Sequence, residues 1–329
     1  MLIIWIGGLA GAGDVQPAIS KCAPMIASVR IGSVFLINIT LIGGSISGNN
    51  MNSGVLYVVA TPIGNLDDMT PRAIQTLKNV SVVAAEDTRH SARLLQHFGV
   101  GTSMISHHDH NEKESSTGIL AKLQQGDDIA LISDAGTPLI SDPGYRLVKT
   151  VREHGIKVVP VIGACALVGA LSVSGLPTDK FRFVGFLPAK GSQRLLSLAV
   201  LQAESATLVF YESSHRILAS LKDMATTFGD RPACIARELT KMYETVINGT
   251  LAELVEVLEQ DLNQQKGEFV VMVQGAPQPD KKQLDDADLK VLDILLEELS
   301  VKQASALAAK ITGKKKQMLY QYALECKGS

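Results

Sequence analysis

Cysteine, aromatic side chains and net charge are all scarce in this sequence. Its four cysteines, Cys22, Cys165, Cys234 and Cys326, are scattered along 329 residues and form no CxxC pair. That spacing offers neither a disulfide framework nor a structural zinc site, and it suits a reduced, cytoplasmic chain. Aromatic residues make up 5% and the formal charge is −2, so no global basic footprint for nucleic acid exists and any such footprint must be local. Neither GxGxxG nor GxxxxGK[ST] occurs, which removes the two commonest phosphate-cradling loops. No internal repeat stands out. What remains is a globular composition, 46% hydrophobic, long enough for two domains and a small third.

The first fifty residues carry only Asp14, Lys21 and Arg30 as charges. Their apolar run at 31–48 approaches a membrane-spanning length. It is nevertheless rich in Gly, Ser and β-branched residues, with no basic start and no convincing cleavage site. Residues 1–50 are therefore read as an extension outside the native fold, and no membrane association is expected. Met51 immediately precedes the first well-organised stretch.

From there strands and helices alternate. "LYVV", "VSVVAA", "DDIALIS" and "IKVVPVIG" read as strands separated by amphipathic helices, which predicts an α/β domain over 51–164 with parallel pairing. Thr70 and Pro71 suit the N-cap and first position of a helix. A second α/β domain is expected over 165–276, a Pro- and charge-rich linker over 277–286, and a helical domain over 287–329. From Val301 onward six lysines face one glutamate, and helix, glycine turn, helix resembles helix-turn-helix arithmetic. Parallel sheets bind ligands at the carboxyl ends of their strands. The stretches "TPIGN" and "LISDAGTPLISDPG" both fall at such ends.

The second stretch is stiff and acidic. Asp134, Gly136 and Pro138 can bring backbone close to a polar ligand, and acidic oxygens suit a ligand with positive charge. A plain structural turn is the alternative, with Asp142 and Pro143 starting the next helix and Asp142 capping it. Glu86 and Asp87 lie at another strand end, although Asp87 also suits a helix N-cap. "RELTK" places Arg237, Glu238 and Lys241 at a strand exit of the second domain, where a surface ion-pair cluster is the alternative. "HHDHNE" at 107–112 lacks a second ligand cluster, so no metal is expected and a polar or RNA-facing loop is preferred. Arg72, Arg89, His90, Arg93, His215, Arg216 and the run Lys314, Lys315, Lys316 could contact phosphates or simply be solvated.

Six segments in order, "LYVVATPIGNLDDMTPRAIQTL", "AAEDTRHSARLLQHFG", "SDAGTPLISDPG", "FYESSHR", "ARELTK" and "GEFVVMV", resemble the small-subunit ribosomal RNA methyltransferase I family. This is the ribose-methylating branch of the tetrapyrrole methylase superfamily. The resemblance implies two α/β domains with S-adenosylmethionine in the cleft between them, plus a small C-terminal helical domain. It implies transfer of the donor methyl to the ribose 2′-oxygen of a cytidine in the decoding region of 16S rRNA, within the 30S subunit, by a homodimer. Implied cofactor-binding residues are Pro62, Gly64, Asp134, Gly136, Thr137, Pro138, Leu139, Gly163, Ala164, Cys165, Tyr211 and Glu212. Implied catalytic residues are Glu86, Asp87, Arg237, Glu238 and Lys241, with Glu212 also a candidate proton acceptor. Arg72, Arg89, Arg93, His215, Arg216 and Lys314 to Lys316 are expected to meet RNA. Methylation of a small tetrapyrrole and non-catalytic RNA binding remain alternatives. One departure is Ile162-Gly163-Ala164, where relatives carry proline on both sides of the glycine; its loss is expected to loosen that turn.

Overall fold

A computed structural model describes residues 53–277, 284 and 286–327. The expected extension over 1–50 and most of the linker over 277–286 lie outside the described residues.

The first domain runs β1 (Leu56–Val59), α1 (Pro71–Asn79), β2 (Val82–Ala85), α2 (Thr88–His97), β3 (Met104–Ser106), α3 (Glu112–Gln124), β4 (Ile129–Ile132), α4 (Tyr145–Glu153) and β5 (Val158–Val161). Thr70 accepts the Ala73 N–H and Pro71 opens α1, as the sequence predicts. All strands are parallel, in the order β3-β2-β4-β1-β5. Strand alternation sends Val59, Val83, Ala85, Ala130 and Ile132 to the face covered by α1 and α2. Leu56, Ala84, Ile129 and Leu131 go to the face covered by α3 and α4. Chain connections therefore leave β1 and β4, adjacent in the sheet, in opposite directions. That is a topological switch point, where loops splay and leave a crevice.

The second domain continues with α5 (Ala166–Val173), β6 (Phe181–Phe186), α6 (Gly191–Ala199), β7 (Thr207–Ser213), α7 (Ile217–Phe228), β8 (Pro232–Arg237), β9 (Thr245–Thr250), α8 (Leu251–Gln260) and β10 (Glu268–Val273). Its sheet is mixed, β6-β7-β10-β8-β9, with only β6 and β7 parallel. Strict strand–helix alternation fails here because β9 returns directly beside β8 as an antiparallel partner. Helices α6, α7 and α8 pack with Leu208, Phe210, Ile235, Phe269 and Val271 on one face. The other face, bearing Val209, Ala236, Val270 and Met272, is covered in part by Leu167, Ala170 and Leu171 of α5.

Helices α9 (Asp286–Glu298), α10 (Val301–Thr312) and α11 (Lys316–Lys327) close on Leu292, Ala304, Ala308, Leu319 and Ala323. Gly313 sits at φ +70° between α10 and α11, the left-handed stop that glycine favours. Among the described residues no helix is long and apolar enough to cross a membrane.

Candidate active site

Three strand-end loops of the first domain are joined by backbone pairing and by two threonine hydroxyls. Thr61 and Gly136 exchange N–H to C=O bonds of 2.8 and 3.0 Å, linking the ends of β1 and β4. The Thr61 hydroxyl donates to the Ser133 carbonyl, and the Thr137 hydroxyl donates to the Ala164 carbonyl at 3.0 Å, drawing in the loop after β5. Gly136 needs its φ of +86°, and a Cβ there would stand 3.2 Å from Ile63.

This loop layer lies over the open face of the second sheet and encloses a cavity of about 310 Å³. Ile63, Ala135 to Thr137 and Ile140 to Asp142 form one wall; Phe186, Tyr211, Ala236, Leu239, Lys241 and Val270 belong to the other. Such a volume suits a nucleoside-sized ligand. Four non-glycine residues have positive φ among the described residues: Leu139, Ser141, Glu238 and Thr240. All four sit in the two loops that face each other here. Each costs about 1–3 kcal/mol, so the surrounding structure holds both loops in place.

The second wall is built from aromatics and paired charges. Tyr211 meets Phe183 and Phe186 edge-on, with ring centroids 4.9 and 5.8 Å away. Its hydroxyl accepts the Leu167 N–H, and burial pushes its pKa up to about 12. Lys241 holds Glu238 at 2.9 Å and Glu268 at 2.8 Å. Burial works against the Lys241 ammonium, but these two carboxylates outweigh it and keep the group charged. Gly64 packs so closely on the lysine stem that a Cβ would collide with Lys241 Cγ. The TPIGN loop and the RELTK loop thus meet across the cleft.

Of the expected cofactor residues, Gly136, Thr137, Cys165, Tyr211 and Glu212 line the cavity. Pro62 and Gly64 only flank Ile63. Gly163 instead backs against Ala60, where a Cβ would lie 3.0 Å from the alanine methyl, and Ala164 contributes its carbonyl to Thr137. Leu139 turns into the core beneath the loop and Pro138 is buried. Asp134 accepts the Asp87 N–H, while Glu86 accepts the Asp134 N–H at 3.4 Å, so these acids fasten β2 to β4 rather than line the cavity.

Several of the expected site residues have well-defined partners within the protein. Asp87 caps α2, accepting from the Arg89 and His90 amides and pairing with the Arg89 guanidinium. Arg237 is buried and donates to the Lys266 and Tyr243 carbonyls, which makes it a clamp for its own loop. Glu212 has both oxygens occupied: one accepts from Ser220 at 2.6 Å, the other from Arg216 and the Ser213 N–H. Both its oxygens are thus engaged within the second domain. Lys314 has its ammonium paired with Asp288 at 3.1 Å, with both side chains largely buried. Arg72 lines a separate depression with Gln75, Asn79 and Asp128. Arg93, His215, Lys315 and Lys316 are exposed. Arg89 is exposed yet held by Asp87, and Arg216 lies over the Phe186 ring, 5.9 Å from its centroid.

The loop at 107–112 is more structural than its polarity suggests. His107 is fully buried against the Ser115 hydroxyl, and burial lowers its pKa. Glu112 reaches across to accept the Gly144 and Arg146 amides. It thereby caps α4, the task expected of Asp142. Freed of that task, Asp142 lines the cavity, and burial first, then Glu86, Asp134 and Asp109, raise its pKa to about 6 against the opposing Ser133 hydroxyl. The Asp-Pro-Gly pattern, which also suits a helix start, carries no signal that Asp142 faces the cavity. Glu268 and Phe186 were likewise missed, being ordinary strand residues by pattern.

The family model for Tetrapyrrole (Corrin/Porphyrin) Methylases matches residues 55–255, and that for the RsmI C-terminal HTH domain matches 282–327. The chain is 55% identical over 280 residues to "Ribosomal RNA small subunit methyltransferase I" of Pseudomonas aeruginosa, covering 84% of this chain and 99% of that one. It is 51% identical over 278 residues to the protein so named in Escherichia coli O157:H7, covering 84% and 97%. Among solved structures, the methyltransferase CobJ superposes with a TM-score of 0.51 at 17% identity, covering 68% of this chain and 95% of that one. Diphthine synthase does so at 0.50 and 12%, covering 68% and 90%. At such identities these two carry the fold alone.

Proposed function

Because the chain belongs to the ribosomal RNA small subunit methyltransferase I family, within the tetrapyrrole methylases, we propose that its cleft binds S-adenosylmethionine and methylates rRNA at a ribose. The acceptor in this reading is the 2′-oxygen of a cytidine in the decoding region of 16S rRNA. The observation that carries it is the cavity itself, closed by the SDAGTP loop on one side and the aromatic and lysine wall on the other.

The lining fits the donor. Ile63, Ala166, Leu239 and the rings of Tyr211 and Phe186 offer an apolar slot for a purine, while Gly136 and Thr137 offer backbone for its polar groups. When bound, the sulfonium supplies an activated methyl and a neutral leaving group. The protein then has to orient the ribose and keep water away, and in-line positioning can contribute up to about 7–11 kcal/mol. Leu239 and Ile140 exclude water, and Lys241 places a held positive charge at the rim where an alkoxide develops.

Exposed Arg93, His215, Lys315 and Lys316, with Arg89 and Arg216 beside the cleft loops, form the RNA-facing set of this reading. Assembly as a homodimer, an assembled 30S subunit as the substrate and a cytoplasmic location complete it, on family grounds. Labelled S-adenosylmethionine is incubated with the protein and 30S subunits, free 16S rRNA or a tetrapyrrole precursor. Label on a cytidine ribose of 16S rRNA is expected. Label on a base, on the tetrapyrrole or on none of them overturns the reading.

A further inference from the structure

The titratable groups of the cavity differ in how far each is already committed. Glu212 is saturated by Ser220, Arg216 and the Ser213 amide. Glu268 is bound to Lys241, and Lys241 to Glu268 and Glu238. Tyr211 keeps its proton and accepts from Leu167, with the Cys165 thiol lying against its hydroxyl. Asp142 alone among the lining carboxylates has no cationic partner among the described residues. Its loop cannot readily relax to give it another task. Leu139 and Ser141 are fixed at φ +74° and +68°, and Gly144 at +123°, where a Cβ would strike Leu131 at 2.8 Å. The helix start that Asp142 might have capped is taken by Glu112.

We propose that Asp142 is the general base of the methyl transfer, accepting the proton of the ribose 2′-hydroxyl, a role that rests on the function proposed above. In the step the O2′–H bond breaks while the O2′–CH3 bond forms, and the proton passes to an Asp142 carboxylate oxygen. The electron pair of the departing carbon–sulfur bond stays on sulfur, leaving a neutral thioether. Charges balance: an anionic carboxylate and a cationic donor become a neutral acid and a neutral product. Ionisation near pH 6 gives a base matched to neutral conditions. The groups that set it are Glu86, Asp134, Asp109 and Ser133 behind Asp142, with Lys241, Tyr211 and Cys165 across the cavity.

The test compares wild type, Asp142→Asn and Asp142→Glu in methyl transfer to 16S rRNA across pH, with binding of S-adenosylmethionine and S-adenosylhomocysteine measured by calorimetry. Wild-type kcat/KM is expected to rise with pH through a midpoint near 6. Asp142→Asn is expected to lose about 10²–10⁴-fold and the rising limb with it, as removal of a general base does, while both affinities stay within about twofold. Asp142→Glu is expected to restore part of the rate. A 13C-carboxyl titration of aspartate-labelled protein reads the same group without turnover: a resonance moving near pH 6 and missing from the Asn variant is expected, and a midpoint near the ordinary aspartate value of about 3.9 overturns the proposal. An Asn variant that keeps its rate or its limb overturns it too. So does a loss of S-adenosylmethionine affinity, with the homocysteine product still bound, that matches the lost rate; that result makes Asp142 a sulfonium-binding group. Wild type that fails to label RNA overturns the underlying function as well, whereas active wild type with an unaffected Asn variant overturns this role alone.

Discussion

The two walls of the cleft are held by different forces. On the first-domain side, the ends of β1 and β4 are tied through main-chain groups, Thr61 to Gly136 twice, and the uncharged Thr137 hydroxyl reaches the Ala164 carbonyl after β5. On the second-domain side, the strand ends are held by side-chain charges: Glu212 with Arg216 and Ser220, Lys241 with Glu238 and Glu268, Arg237 with two carbonyls. Main-chain pairs are insensitive to pH and little affected by salt, whereas partly exposed ion pairs are screened. The main-chain wall can therefore carry an uncompensated acid in Asp142, while the charged wall has compensated its own. The uncompensated carboxylate and the paired charges are kept on opposite sides of one cavity.

The strongest way to break this contrast is on the charged wall. Glu212→Ala leaves Arg216 and Ser220 without their partner beneath a side chain only 1% exposed. Loss of a buried pair's partner costs about 3–5 kcal/mol, to be read in denaturant unfolding. On the main-chain wall, Gly144→Ala must adopt φ +123° and meet Leu131, and is expected to lose about 1–3 kcal/mol together with donor binding.

Asp142→Asn is expected to go the other way. Its folded pKa lies above the unfolded one, so the native state binds more protons between about pH 4 and 6 and wild-type stability falls as pH rises through that window. The Asn variant gains stability of about 1 kcal/mol above pH 6, after screening at this partly exposed site, and the gain vanishes below pH 4. Denaturant midpoints at pH 7.5 and 4.5 read the difference. Smallest is Lys241→Met, which frees Glu238 and Glu268 at a partly exposed pair and costs about 0.2–1 kcal/mol. Its larger signature is a lowered kcat with donor affinity little changed.

The first domain was the more legible half. Its strands are continuously apolar because both faces are covered, and Thr70-Pro71 marks a helix start by local chemistry alone. β9 escaped because "TVINGT" is a half-exposed edge strand, polar on alternate positions and interrupted by Gly249. The SDAGTP loop could be placed at a ligand site because Gly, Pro and Asp at a strand exit constrain backbone directly. Side-chain roles were less legible, since they depend on partners far along the chain. Glu112 caps a helix 32 residues away, and Asp288 buries Lys314 from 26 positions upstream. Asp142 is hard to read for the same reason: the amides at the start of α4 go to Glu112, from another part of the chain.

Hydrogen exchange with and without S-adenosylhomocysteine tests most directly whether the two walls form one donor site. Joint protection of residues 133–142 and 237–241 on ligand addition is the expected result. Protection confined to one of these loops, or falling outside both, would contradict it.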